Sequence, residues 1–468
     1  MSRRRMLLSA IARFHRIGPR RPHARTAQIH PPSQAGNPAR LVAAAVMTGL
    51  AAGLGGMALA LLLHAIQHIA FGYDQIGSAP PESFLQGVTN ATPLRRLLSL
   101  LACGMLAGVG WYAVKGSRRS LVGVRQAVGE QRPGPAMPML ETVCHALLQI
   151  VTVSLGSPLG REVAPREIGA LLAQRIGWVA ALSEADRRLI VACGAGGGLA
   201  AVYNVPLGGT LFVLEVLLGS TSRKAVAIAL LTCTISAVTA WVGLGDSVQY
   251  AARSIPISWS LVLWAGLAGP LLGAAATAFR TATAASAKAQ PEDASRILLS
   301  IVVFGCIGLA ATSFPQLLGN GRGPIQLALD GRLGLVLVLE LLLLKLAAVL
   351  GSLRAGAAGG LLTPGMTIGA LIALLLGAAW NCIAPPQLAE AYAIVGAAAF
   401  LAASMEMPLT AIVLMLEFTR VDHDFLVPIT LAVAGSMGAR SLLVRPHAAH
   451  DMPGKPGSIS HAGLVPVS

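Results

Sequence analysis

The stretch Leu335-Val-Leu-Val-Leu-Glu-Leu-Leu-Leu-Leu-Lys-Leu-Ala-Ala-Val-Leu350 is apolar on nearly every face and rich in leucine and alanine. A membrane-barrel strand would alternate apolar and polar residues over a short length, so this pattern belongs to a helix with apolar surroundings on all sides. Further apolar runs fall near 41–70, 97–114, 139–155, 187–219, 224–244, 258–280, 297–313, 361–380, 391–418 and 424–444. A bilayer crossing takes about 20 predominantly apolar residues, so roughly ten or more passes fit. The 468-residue chain is 54% hydrophobic and only 12% charged, where soluble domains carry roughly a quarter charged side chains. A soluble enzyme is excluded, and the expected fold is an all-α polytopic membrane protein.

The net charge is +15, and the first forty residues hold nine arginines and no acid. Beside a first apolar span, that bias places the N-terminus in the cytoplasm under the positive-inside rule, which makes a nucleic-acid partner unnecessary. The apolar stretch Met6 to Ala12 is too short, and too closely flanked by arginine, for a secretory signal. The expected organisation is a basic cytoplasmic tail over 1–40, a transmembrane domain over 41–446, and a short polar tail over 447–468 with no regulatory domain. The six cysteines stand singly in apolar segments, and the ten histidines include no third ligand at metal spacing. No metal and no cofactor are expected.

Several apolar runs are interrupted by glycine and proline clusters, among them Gly194-Ala-Gly-Gly-Gly198, Pro206-Leu-Gly-Gly209 and Gly356-Ala-Ala-Gly-Gly360. Backbone released from a helix inside a membrane must be buried in protein or line a polar cavity, so such breaks point to discontinuous helices around a pathway. The breaks also repeat. Gly160-Arg-Glu-Val-Ala-Pro-Arg-Glu-Ile-Gly-Ala170 and Gly360-Leu-Leu-Thr-Pro-Gly-Met-Thr-Ile-Gly-Ala370 share their first residue and their last three at an offset of 200. Pro206-Leu-Gly-Gly-Thr-Leu-Phe-Val-Leu-Glu215 and Pro408-Leu-Thr-Ala-Ile-Val-Leu-Met-Leu-Glu417 match at an offset of 202. Two motifs in the same order at nearly one spacing indicate duplicated halves, about 41–245 and 258–446. A binding site is expected near mid-membrane where the halves meet.

In both halves the break sets glycine-rich backbone before a helix: Gly160-Arg161-Glu162 in one, Gly359-Gly360-Leu361-Leu362 in the other. Two helix starts aimed at one point offer unpaired N–H groups and positive dipole ends, an anion site whose partial charges let the ion leave again. The alternative is that these glycines only permit close helix packing. Glu162 lies at one helix start in a chain poor in charge. Ionised, its carboxylate can occupy the anion site itself; protonated, it can swing away. The other reading pairs it structurally with Arg161 or Arg166. Glu340 and Lys345 lie in one leucine-rich span as a candidate ion pair, and Glu215 and Glu417, at equivalent repeat positions, are candidates to brace helix ends.

These residues resemble the CLC family of chloride channels and chloride/proton exchangers. Gly160-Arg161-Glu162 is similar to the start of the family's Gly-Arg-Glu-Gly-Pro block, and Asn204-Val-Pro-Leu-Gly208 to its Asn-Ala-Pro-Leu-Ala block. Gly359-Gly360-Leu361-Leu362-Thr363-Pro364 resembles Gly-Gly-x-Phe-x-Pro, and Gly396 to Phe400 through Pro408 to Glu417 is a long near-verbatim match. The resemblance implies a homodimer of inverted-repeat subunits in the cell membrane, with one pore in each. By position, Glu162 would be the gating glutamate. The amides of Glu162, Val163, Leu361 and Leu362 would line the anion sites, supported by Gly160, Arg161, Gly359 and Gly360.

The departures bear on function. Val163-Ala164 stands where the family has Gly-Pro. The family's first anion loop, Gly-Ser-Gly-Ile-Pro, is missing in that form: an ungapped match puts Arg119 at the serine's place, with Ser117 and Ser120 as alternatives. The tyrosine that closes the family's central site falls near Ala448. The exchangers' inner proton-transfer glutamate falls at Val216, next to Glu215, and an apolar side chain relays no proton. The expected function is therefore passive movement of chloride or another small anion, gated by Glu162 and not tightly coupled to protons. A chloride/proton antiporter and a fluoride-selective relative are the alternatives within transport. A membrane-embedded enzyme is the alternative outside it, and it lacks a nucleophile–base pair or a His–Glu metal set at catalytic spacing.

Overall fold

The computed structural model describes residues 37–72, 83–116, 119–129, 134–253 and 255–444. Most of the basic tail, the tail over 447–468, Ser117 and Ala448 lie outside the described residues. The described chain is built from helices. In order they are α1 (Pro38–Phe71), α2 (Phe84–Asn90), α3 (Pro93–Lys115), α4 (Val124–Val128), α5 (Met139–Ser154), α6 (Val163–Val179) and α7 (Glu184–Tyr203). Next come α8 (Pro206–Leu211), running on into a π-helical turn at Phe212–Leu218, then α9 (Arg223–Leu244), α10 (Trp259–Lys288), α11 (Ser295–Ser313) and α12 (Arg322–Leu329). The series closes with α13 (Leu335–Arg354), α14 (Leu362–Trp380), α15 (Ala389–Met405), α16 (Pro408–Thr419) and α17 (Leu426–Leu443).

Local chemistry sets the ends of these helices. Asn37 accepts a hydrogen bond from the Ala39 amide at 3.0 Å ahead of Pro38, and Thr92 accepts one from Arg95 at 3.3 Å ahead of Pro93. In each case a side-chain oxygen satisfies an amide that has no partner within the helix, and proline occupies a position where no N–H is needed. Eight helices among the described residues are long and apolar enough to cross a membrane. Val242 and Leu442 are 86% and 80% exposed, as expected of side chains that face lipid.

Other helices are too short to cross. The 16 residues of α5 rise about 24 Å, short of the roughly 30 Å hydrocarbon core, so its end lies within the protein. Helices elsewhere pack through small residues: a Cβ at Gly273 of α10 would stand 2.2 Å from the Ser436 carbonyl oxygen of α17. Close backbone approach of this kind replaces the hydrophobic drive that lipid removes.

The repeat is visible in backbone geometry. Asn204 between α7 and α8, and Glu406 between α15 and α16, both take left-handed conformations, with φ of 57° and 56°. Each stands two residues before a proline that opens the next helix. Left-handed backbone is disfavoured for residues with a Cβ, and both are anchored. Asn204 donates to Asp246 and accepts from the Trp241 indole, each at 2.7 Å, and Glu406 pairs with Arg280 at 2.7 Å and with Arg440. The expected Glu340–Lys345 pair does not form: Lys345 Nζ donates to the carbonyls of Gly319 (2.5 Å) and Leu317 (3.4 Å).

Candidate functional site

Gly160 and Gly360, equivalent residues of the two halves, form an isolated antiparallel bridge. The Gly160 amide donates to the Gly360 carbonyl at 2.7 Å, and the Gly360 amide to the Gly160 carbonyl at 2.9 Å. Identical contacts exchanged in both directions are what a two-fold relation between the halves produces. Just past the bridge, α6 starts at Val163 and α14 at Leu362, and both starts are buried. The two broken segments thus deliver their helix starts to one place.

Glu162 occupies that place. The residue is 1% exposed, and Oε1 of its carboxylate accepts a hydrogen bond from the Leu362 amide at 2.7 Å, across the boundary between the halves. Oε2 accepts from the Tyr203 hydroxyl at 3.2 Å, and that hydroxyl is also 3.2 Å from Thr363 Oγ1. The glycines make room for the carboxylate: a Cβ on Gly360 would lie 1.8 Å from Oε1, and one on Gly160 would lie 2.1 Å from Oε2. A buried carboxylate in apolar protein needs compensation, and here a helix-start amide and a phenol supply it.

Arg161 and Arg166 flank it. The Arg161 guanidinium lies over the Tyr203 ring at 5.2 Å, and Arg161 Nε is buried with no partner among the described residues. Arg166 Nε donates to the main-chain oxygen of Glu162 at 3.0 Å, and its guanidinium lies over the Phe212 ring at 5.1 Å. Deeper in the α5–α6 contact, Glu167 meets His145 Nδ1 at 2.9 Å and accepts from Gln149 at 3.1 Å.

Of the residues singled out from sequence, Gly160, Arg161, Glu162, Val163, Gly359, Gly360, Leu361 and Leu362 gather at this junction. A Cβ on Gly359 would sit 2.6 Å from that of Leu159, so the second glycine-rich segment packs directly against the first. Arg119 and Ser120 lie instead on the exposed coil between α3 and α4, whereas Val124 and Arg125, farther along, line a small cavity with Arg166 and Val216. Nothing in the sequence marks Tyr203 beyond its place at the end of α7, directly before the Asn204 break.

Fold and site together define a polytopic helical membrane protein of two matching halves, whose broken helices meet on a buried carboxylate. Residues 98–440 match the voltage gated chloride channel family, and the chain belongs to that family, the CLC proteins. A voltage-gated ClC-type chloride channel, ClcB, of Escherichia coli O9:H4 strain HS is 28% identical over 367 residues, covering 72% of this chain and 82% of its own. Among solved structures, a slow cyanobacterial Cl−/H+ antiporter superposes with a TM-score of 0.75 at 19% identity, over 86% of this chain and 95% of its own. A CLC-type fluoride/proton antiporter gives 0.61 at 17% identity, over 85% and 94%.

Proposed function

We propose that this protein is a passive chloride pathway gated by Glu162. The supporting observation is the position of the Glu162 carboxylate, held by the Leu362 amide between two glycines that leave it space. A carboxylate is itself an anion. What binds it here, a helix-start N–H with its positive dipole end, also binds chloride. Ionised Glu162 occupies the site, and protonated Glu162 loses its charge and vacates it. The anion then meets the amides of Glu162, Val163, Leu361 and Leu362, and the unpartnered Arg161 Nε is a further donor beside them.

Uncoupled flow is favoured by Val216, whose side chain carries no proton at the place of the exchangers' inner glutamate. Glu215 is no replacement, because its carboxylate is engaged by the Leu409 and Thr410 amides at 3.0 and 2.7 Å. In this reading the halves about 41–245 and 258–446 form one pore per subunit of a homodimer in the cell membrane, with the N-terminus cytoplasmic. No enzymatic step is assigned.

The test is flux from purified protein in liposomes. A chloride gradient is expected to dissipate once a potassium ionophore shunts charge, with no uphill proton movement. Folded protein giving efflux equal to empty vesicles sinks the transport reading. Steady proton pumping in proportion to chloride replaces passive flow with exchange, and flux with fluoride but not with chloride makes the substrate fluoride.

A further inference from the structure

The Glu162 carboxylate marks two places with its oxygens: Oε1 lies against the Leu362 amide at 2.7 Å, and Oε2 against the Tyr203 hydroxyl at 3.2 Å. Among the described residues, Tyr203 supplies the one side-chain donor that reaches the carboxylate. A phenol has a single proton and an ionised carboxylate only accepts, so that proton is committed to Oε2. The 3.2 Å contact between the Tyr203 hydroxyl and Thr363 Oγ1 then has one polarity, with threonine donating to the phenol oxygen. The result is a directed chain from Thr363 through Tyr203 to Glu162, in which each bond polarises the next. Tyr203 and Thr363 are both buried, which keeps bulk water from competing for either hydroxyl. The phenol is also held where it points. Phe418 stands edge-on to its ring at 5.4 Å between centroids, the Arg161 guanidinium lies over the ring, and Thr363 reaches it from the first turn of α14 in the other half.

We infer that the Tyr203 hydroxyl is a ligand of the transported anion and selects for small, strongly hydrated anions, with Thr363 as the residue that positions it. The inference rests on the gated-pathway reading: when protonated Glu162 vacates the site, the O–H that faced Oε2 faces the ion that takes its place. Its direction does not change, so no reorganisation opposes binding. The Leu362 amide meets any anion that enters. What differs among halides is the cost of leaving water: chloride is smaller than iodide, holds its hydration shell more strongly, and gains more from a donor that replaces part of that shell. A directed hydroxyl therefore favours chloride over iodide, and the preference is a difference between two affinities that one hydrogen bond can shift.

The experiment uses full-length protein in liposomes, with Glu162→Ala in every variant so that the gate plays no part, and monodisperse elution as the check of folding. Because the hydroxyl changes how firmly the ion is held, its effect is read in the half-saturating concentration rather than in maximal flux. Adding Tyr203→Phe is expected to raise that concentration about tenfold for chloride, the lower end of what losing a hydrogen bond to a charged group brings, and by less than about threefold for iodide. Thr363→Val should raise the chloride value about threefold where Tyr203 is intact, and add nothing to Tyr203→Phe, because it acts through the phenol. Thr363→Ser, which keeps the hydroxyl, should match the Glu162→Ala parent. A chloride value unmoved by Tyr203→Phe, or raised equally for both halides, overturns the ligand role; should that variant not fold, an unmoved value in Thr363→Val does so. A Thr363→Val effect that persists in full beside Tyr203→Phe overturns the positioning role. If Glu162→Ala itself carries no chloride above empty vesicles, it is the transport reading that fails, so the two failures are distinct.

Discussion

Glu215 and Glu417 brace each other's helices reciprocally. The Glu417 carboxylate accepts from the amides of Leu207 and Gly208 at 2.9 and 2.6 Å, at the start of α8. The Glu215 carboxylate accepts from the amides of Leu409 and Thr410 at 3.0 and 2.7 Å, at the start of α16. Each half thus supplies the negative cap that the other half's helix start requires. Like the Gly160–Gly360 bridge, this exchange ties the halves together at backbone level.

Removing either brace should lower stability more than it changes transport. Glu417→Ala strips two amides of their acceptor, an expected loss of roughly 1–3 kcal/mol, and Glu215→Ala also frees the Thr410 hydroxyl, which donates at 2.6 Å. Thermal unfolding in detergent should shift downward for each. Glu215→Gln, which keeps one acceptor oxygen, should move ions at wild-type rate without proton coupling. An unchanged melting temperature in both alanine variants would show that the braces contribute nothing.

Under the proposed function, neutralising Glu162 should open the pathway. Glu162→Gln removes the charge that the Leu362 amide holds, so chloride flux should be high and nearly independent of pH. Wild-type flux should rise as acid protonates the carboxylate, since the neutral form competes poorly with an anion. If Glu162→Gln retains the wild-type pH response, the titrating gate is another residue.

The halves and the junction where they meet were legible in sequence because a two-fold junction imposes the same backbone demands twice. Gly160 and Gly360 recur because a side chain at either would displace the Glu162 carboxylate. Pro206 and Pro408 recur because each opens a helix straight after a left-handed break. Contacts set by tertiary placement were not legible. Nothing in the spacing of Glu162 and Tyr203 reveals that the end of α7 points at the start of α6. The Glu340–Lys345 expectation failed on helical geometry, since residues five apart lie about 140° apart around an ideal helix. For Arg119 and Ser120, the altered first loop removed the glycines that would have fixed its alignment. Buried helix begins again only at Val124.

Tyr203→Phe should loosen the gate without unseating it. The variant loses one hydrogen bond to Oε2 of Glu162 and the contact with Thr363, while the ring stays against Phe418 at 5.4 Å between centroids. A typical net value near 1 kcal/mol corresponds to about a fivefold shift toward the open form. Chloride flux at neutral pH should rise by about that factor, with the difference vanishing in acid. Flux equal to wild type across the whole pH range would assign the hydroxyl a purely structural role.

Gly360→Ala should separate the site from the gate. The added methyl would lie 1.8 Å from Oε1 of Glu162, closer than any real contact, and Gly360 is pinned from both sides by its bridge to Gly160. The carboxylate, at the end of a flexible side chain, is the group able to move. Taken alone, the substitution has two opposing effects: it expels the competing carboxylate, and it fills the space an anion must enter. A second substitution resolves them. In Glu162→Ala the carboxylate is gone, so adding Gly360→Ala there acts on the anion alone, and flux should fall at least about tenfold, a barrier increase of roughly 1.4 kcal/mol. Melting temperatures of the single and double variants give the cost to the bridge separately. Flux in the double variant matching that of Glu162→Ala would mean that chloride does not pass through the space between Gly160 and Gly360, and that the carboxylate seen there is not standing where the ion goes.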